Sequence, residues 1–324
     1  MTDVNHSHVN RYGCDELERL QRVLVHTPGQ ELRVVNKDNH AQWLFDEVPD
    51  IPAFIEEHQR WCELLTRYGV EVNQLSDHVM HNQSLLERLP NITYLHDIAV
   101  ISRKGALLSC MTQARTSEER VVKEALSNLN IPVHIEFDKE DDAFEGCLLL
   151  SPSCLFIAHT ERHKTSSIAQ FISKALESFD EIILADIPKA RRFMHPDTIL
   201  NRIKHDLVIA YPPALTSTLL FNRNGVTPLD FFKYLDSRGI SMIEVNDSEQ
   251  RRLACSFVPL ENGVMFHYDT SLDKSTLSQL AQNKVEIIFF HPDALVAGGG
   301  SLRCMTMRLL RSEGSKEKKI QADA

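Results

Sequence analysis

Five times along this chain an amphipathic helix is followed within a few residues by a short apolar strand, and that recurrence limits the fold more than any other feature. In residues 51–68, Phe54, His58, Trp61, Cys62 and Leu65 share one helical face, and Gly69 stops the helix before a strand over 70–75. The pattern returns with a helix over 117–128, where Thr116 is the expected cap and Glu119 follows three residues on, and a strand over 133–137. It returns again as 166–178 with 182–187, as 228–237 (closed by Gly239) with 240–245, and as 275–283 with 285–290. Between these pairs lie turn-linked strands: 98–102 with 106–110, 147–150 with 154–158, and 255–260 with 264–268. The expected unit is strand, strand, helix, strand, at intervals of roughly 45 to 60 residues, a length that suits radially repeated folds. Five units predict an α/β propeller with pseudo-fivefold symmetry. One open, doubly wound sheet has no use for so many strand pairs.

Composition narrows the class. The 324 residues are 43% hydrophobic and 25% charged, enough apolar material for a full-sized core without disulfide staples. Acidic residues outnumber basic ones by 45 to 35, and a net charge of -10 opposes any broad attraction to nucleic acid or anionic lipid. No apolar run approaches the roughly twenty residues that span a bilayer, and residues 1–10 lack the apolar stretch of a secretion signal. A cytoplasmic protein without nucleic-acid or membrane partners is expected. Seven scattered cysteines, with no C-x-x-C pair, predict reduced thiols. One catalytic domain is expected over 12–311, between a flexible N-terminus, 1–11, and a disordered polar tail, 312–324.

Few residues carry chemistry. Cys304 follows the run Gly298-Gly299-Gly300, which lets backbone approach a ligand closely or lets a loop over 298–302 close on it. A buried cysteine alone is ordinarily packing. His195 and Asp197, two positions apart, project to the same side if that segment is extended. Asp97 and Glu145 each stand at the mouth of an apolar strand, where an unpaired carboxylate is costly. Arg115 and Arg162 lie just beyond strands and suit either the surface or a carboxylate clamp. His6 and His8, without further ligand spacing, read as a solvated tail, so no metal is expected.

Taken in order, these segments resemble the arginine deiminases, within the guanidino-group modifying (amidinotransferase or pentein) superfamily. Arg22-Val23-Leu24-Val25-His26-Thr27-Pro28-Gly29 is similar to that family's opening strand, Pro90-Asn91 with His96-Asp97 to the stretch whose Asp binds the guanidinium, and Glu145-Gly146 to its Glu-Gly-Gly-Asp segment. His195-Pro196-Asp197 resembles its His-x-Asp, and Arg303-Cys304-Met305-Thr306-Met307 its nucleophile segment. Cys147 and Leu148 replace the second Gly and the Asp of the Glu-Gly-Gly-Asp segment, Pro196 sits inside the His-x-Asp, and Arg308 stands where Pro usually follows Met-Thr-Met. The resemblance implies a five-bladed propeller, no cofactor, and hydrolysis of a free guanidino amino acid, L-arginine to L-citrulline and ammonia. It implies Cys304 as nucleophile, His195 as acid and base, and Glu145 as its partner. Asp97 and Asp197 then hold the guanidinium, and Arg115 and Arg162 the substrate α-carboxylate. The expected partner is a small guanidino molecule, with self-association left open. Amidino transfer to an amine, and a non-catalytic binding scaffold on the same fold, are the alternative readings.

Overall fold

The computed structural model describes residues 12–137 and 143–312. The readings made above for 1–11, with His6 and His8, and for 313–324 fall outside them. Within the described residues the strands form five separate sheets, each with the same core wiring. In the first, Ala99–Ser102 pairs antiparallel with Gly105–Leu108, and helix Glu118–Asn128 returns the chain so that Val133–Ile135 pairs parallel with Gly105–Leu108. A parallel neighbour needs such a crossover, which is why helix and strand alternate in the sequence. The second unit joins Leu148–Ser151, Cys154–His159, helix Thr165–Ala175 and Glu181–Asp186. The third joins Leu200–Lys204, Leu207–Ala210, helix Phe231–Ser237 and Ser241–Glu244, and the fourth Val258–Glu261, Val264–Tyr268, helix Lys274–Gln282 and Glu286–Phe290. The fifth is assembled from both ends of the chain: Met307–Ser312 pairs antiparallel with Arg19–Val25, and helix Ile51–Arg67 delivers Glu71–Gln74 parallel to it.

Two local expectations are corrected. Thr116 does not cap its helix; its hydroxyl donates to the Gln113 carbonyl at 3.0 Å, and Ser117 takes the N-cap position in a left-handed conformation, φ 80°. The helix expected from 228 begins at Phe231, because Gly225–Pro228 belongs to a hairpin with Ser217–Asn222. That hairpin docks on Glu181–Asp186 and widens the second sheet to five strands. Its helix is started by Asp230, whose side chain accepts from the Lys233 amide at 3.1 Å.

Two contacts fix the segment that matters for chemistry. The buried indole of Trp61 donates to Thr306 Oγ1 at 3.0 Å, tying helix Ile51–Arg67 to the residues just past Cys304. From the same helix the Glu57 carboxylate accepts the amides of Asp293 at 2.9 Å and Ala294 at 2.6 Å, anchoring the turn that leads into the glycine run. Among the described residues no helix is long and apolar enough to cross a membrane, and none of the seven cysteines forms a disulfide.

Candidate active site

The wiring of the units explains how residues so far apart in sequence meet. In each unit, the turn two or three residues upstream of the first strand carries a polar side chain: Asp97, Glu145, Asp197, Ser256 and Cys304. Asp97, Arg115, Arg162, His195 and Cys304 line one cavity. Glu145 stands directly behind His195, its Oε2 2.8 Å from Nε2.

Glu145 is held from four sides. Its Oε1 accepts the Thr112 amide at 2.8 Å, and its Oε2 faces His195 and, at 3.3 Å, Arg162 Nη1. His163 fixes its backbone: Nδ1–H donates to the Ala158 carbonyl at 2.6 Å, leaving Nε2 to accept the Glu145 amide at 2.9 Å. Burial, the largest influence, disfavours the Glu145 charge, but the hydrogen bond from His195 and the charge of Arg162 outweigh it and hold the carboxyl well below the usual range. His195 is pushed the other way. Burial disfavours its cation, yet Asp97, whose Oδ1 lies 3.3 Å from Nδ1, and Glu145 together raise its pKa above the ordinary 6.5. Both shifts favour the carboxylate and imidazolium forms of the pair.

Asp97 Oδ2 accepts Arg115 Nη1 at 2.7 Å, and Arg115 also donates to the Tyr94 carbonyl and to Glu118 Oε2, each at 2.9 Å. The Cys304 sulfur lies 3.4 Å from Ser301 Oγ and 3.9 Å from Ser256 Oγ. Burial pushes its thiol up to about 12, helped by the negative charges of Asp97 and Asp197. A cation placed among these groups reverses that balance and favours the thiolate.

Asp197 has a different setting from the other predicted residues. His195 is extended, but Pro196–Thr198 is a 3-10 turn, so the two side chains part. His195 faces the cavity, whereas Asp197 Oδ2 accepts Arg303 Nε at 3.0 Å, both groups buried. Arg303, Ser256 and Ser301 were not singled out from the sequence; Ser256 had a signal in its place within the repeat. Arg191 and Tyr94 also line the cavity, and neither carried one.

The glycine run has a packing reason. A Cβ at Gly298 or Gly300 would collide with the Tyr94 ring, and one at Gly299, where φ is +72°, would meet the Asp46 carboxylate. The backbone beside Cys304 thus lies flat on an aromatic face. Gly298→Ala is expected to destabilise the protein by about 1–3 kcal/mol, as overpacking does, and to reduce turnover by displacing the Cys304 segment. Urea unfolding of the variant checks the first effect and initial rates the second.

Cys304, His195 and Asp97 face one cavity on repeated α/β units, and solved pentein-superfamily proteins share the fold. The chain aligns with AgrE (TM-score 0.68, 17% identity, 91% of this chain), of which it spans 40%, and with the N-terminal domain of ArgZ, an arginine dihydrolase from Cyanobacteria (TM-score 0.68, 17% identity, 90% of this chain and 98% of that domain). The chain belongs to the arginine deiminase family: that family's model, described as arginine deiminase, matches residues 76–311. A curated relative, the arginine deiminase of Mycoplasma capricolum subsp. capricolum, is 22% identical over 92% of this chain and 96% of its own length.

Proposed function

We propose that this protein hydrolyses the guanidinium of free L-arginine, giving L-citrulline and ammonia through a covalent Cys304 adduct. The observation that carries the reading is the single cavity shared by Cys304, His195 and Asp97, with Glu145 2.8 Å behind the imidazole. A guanidinium is flat and cationic, so it suits a site whose sulfur is faced by carboxylates. Asp97 offers Oδ1 to its nitrogens, and Asp197, with Oδ2 on Arg303, keeps Oδ1, for which the structure records no partner. Arg115 and Arg162, on the same cavity wall, suit the substrate carboxylate.

In the proposed sequence the bound cation draws Cys304 to its thiolate, the proton leaving to solvent, and Sγ bonds to the guanidinium carbon. The carbon–nitrogen bond then breaks as His195 gives its proton to departing ammonia, leaving an S-alkylthiouronium. Water attacks that carbon and passes a proton to His195. The carbon–sulfur bond breaks, the second proton of that water passes to the released ammonia as ammonium, and citrulline and the thiolate remain.

The fold itself belongs to this reading. One cavity is lined by the first strand of every unit, and Arg19–Val25 packs against Val258–Glu261, Met307–Ser312 against Ala99–Ser102, and Val258–Glu261 against Leu200–Lys204. These contacts support a closed five-bladed propeller with the first strands about its axis. A cytoplasmic setting suits seven free thiols.

Incubating the protein with L-arginine and analysing products by chromatography is the test. Citrulline with equimolar ammonia is expected. Ornithine formed only when an amine acceptor is added makes the protein a transferase, and ornithine formed in water alone with carbon dioxide and two equivalents of ammonia means that all three carbon–nitrogen bonds of the guanidinium are hydrolysed. Binding without turnover returns it to a scaffold.

A further inference from the structure

Behind Cys304 lies a second cavity that the proposed reaction does not use. It is lined by Arg202, Arg303, Arg308 and Arg311, with His96 and Glu16. Such a concentration of positive charge is unexpected in a chain of net charge -10. Two of the four guanidinium groups have carboxylate partners: Arg303 on Asp197 at 3.0 Å and Arg202 near Glu16 at 3.6 Å. Arg311 donates to the backbone carbonyls of Glu18, Leu260 and Pro259. Arg308, which stands where the family pattern has Pro, meets the face of His96 at 3.4 Å, and no carboxylate lies within ion-pair distance of it among the described residues. Its Nε is buried without a hydrogen-bond partner.

The surrounding groups feel this excess. Burial, then Arg308 and Arg303, keep His96 well below its usual pKa, so it adds no charge of its own but offers a ring nitrogen. Burying uncompensated guanidinium groups costs several kcal/mol each unless something negative meets them. Arginine forks match the spacing of oxyanion oxygens, and several forks converging on one cavity favour a polyvalent oxyanion over a monovalent one.

We infer that the cavity lined by Arg202, Arg303, Arg308 and Arg311 is a binding site for a small polyvalent oxyanion of the phosphate class. It is distinct from the cavity that Cys304 lines, and the inference does not depend on what reaction occurs there. Arg303, through Asp197, and His96, whose amide donates to the Cys304 carbonyl at 2.9 Å, join the two.

Titration calorimetry of the full chain at constant ionic strength tests it, with inorganic phosphate in one arm and glycerol 3-phosphate in another to separate the free ion from a phosphoryl group on a larger molecule. Saturable binding of one equivalent is expected. Arg308→Gln should weaken it at least about tenfold, the loss of one charge-assisted hydrogen bond, and should fold, since it relieves a buried charge. Arg202→Gln serves as a second variant with the same expected loss. Arg162→Gln, in the other cavity, should bind as the parent does. Absence of saturable binding in both arms, binding undiminished in Arg308→Gln and Arg202→Gln, or an equal loss in Arg162→Gln overturns the assignment.

Discussion

Cys304→Ala abolishes ammonia release from L-arginine, by at least about 10⁴-fold, while costing the fold only about 1 kcal/mol. The first number follows from the chemistry: a guanidinium carbon is a poor electrophile, and water has no covalent route when the sulfur is gone. The second follows from the setting. Cys304 contributes one sulfur with hydroxyl neighbours at 3.4 and 3.9 Å, and its main structural bond, the carbonyl accepting the His96 amide at 2.9 Å, is backbone and survives the substitution. Urea unfolding and a continuous ammonia assay measure the two effects. A variant that unfolds, or one that keeps more than a hundredth of the activity, removes Cys304 from the nucleophile's role.

The same site predicts a pH profile. In the proposed reaction the acid is His195 in its charged form, with a pKa raised above the usual value, so kcat/KM is expected to fall as pH climbs through that raised pKa. Glu145→Gln removes one of the two charges that raise it. The falling limb should then move to lower pH by about one unit, and maximal activity should fall with it.

Much of this fold was legible because its signals are local. Helical periodicity at 51–67 and glycines past the helix ends at Gly69 and Gly239 mark elements within a few residues of their true bounds. The hairpin of the third unit escaped because its turn, His205-Asp206, has none of the glycine, proline or asparagine that announced the others. The pairing of Met307–Ser312 with Arg19–Val25 joins opposite ends of the chain, and no local pattern encodes it. At the site, Cys304, His195 and Glu145 were readable from motif wording. Ser256 was readable only from its place in the repeat. Arg303 and Asp197 are 106 residues apart, and their pairing turns the segment read as an extended His-x-Asp into a divergence: one side chain in the cavity, the other beneath it.

That pairing carries the largest stability effect expected in the molecule. Arg303→Met leaves the buried Asp197 carboxylate with a 3.5 Å contact to Ser256 Oγ and His96 Nε2 at 3.9 Å, and breaking a buried pair by deleting one partner costs about 3–5 kcal/mol. The companion Asp197→Leu variant strands the guanidinium instead, at similar cost. Replacing both recovers most of the loss, because two apolar side chains restore neutrality, so the cycle should show a coupling of several kcal/mol in urea unfolding. Kinetics separate the roles of Asp197. With Arg303 gone, its bare charge disfavours the nearby thiolate more strongly, and kcat falls. If its oxygens also hold the guanidinium, both are now available, and KM for L-arginine falls alongside kcat. A KM that stays fixed while kcat drops assigns Asp197 to the electrostatics of the sulfur and leaves the guanidinium to Asp97.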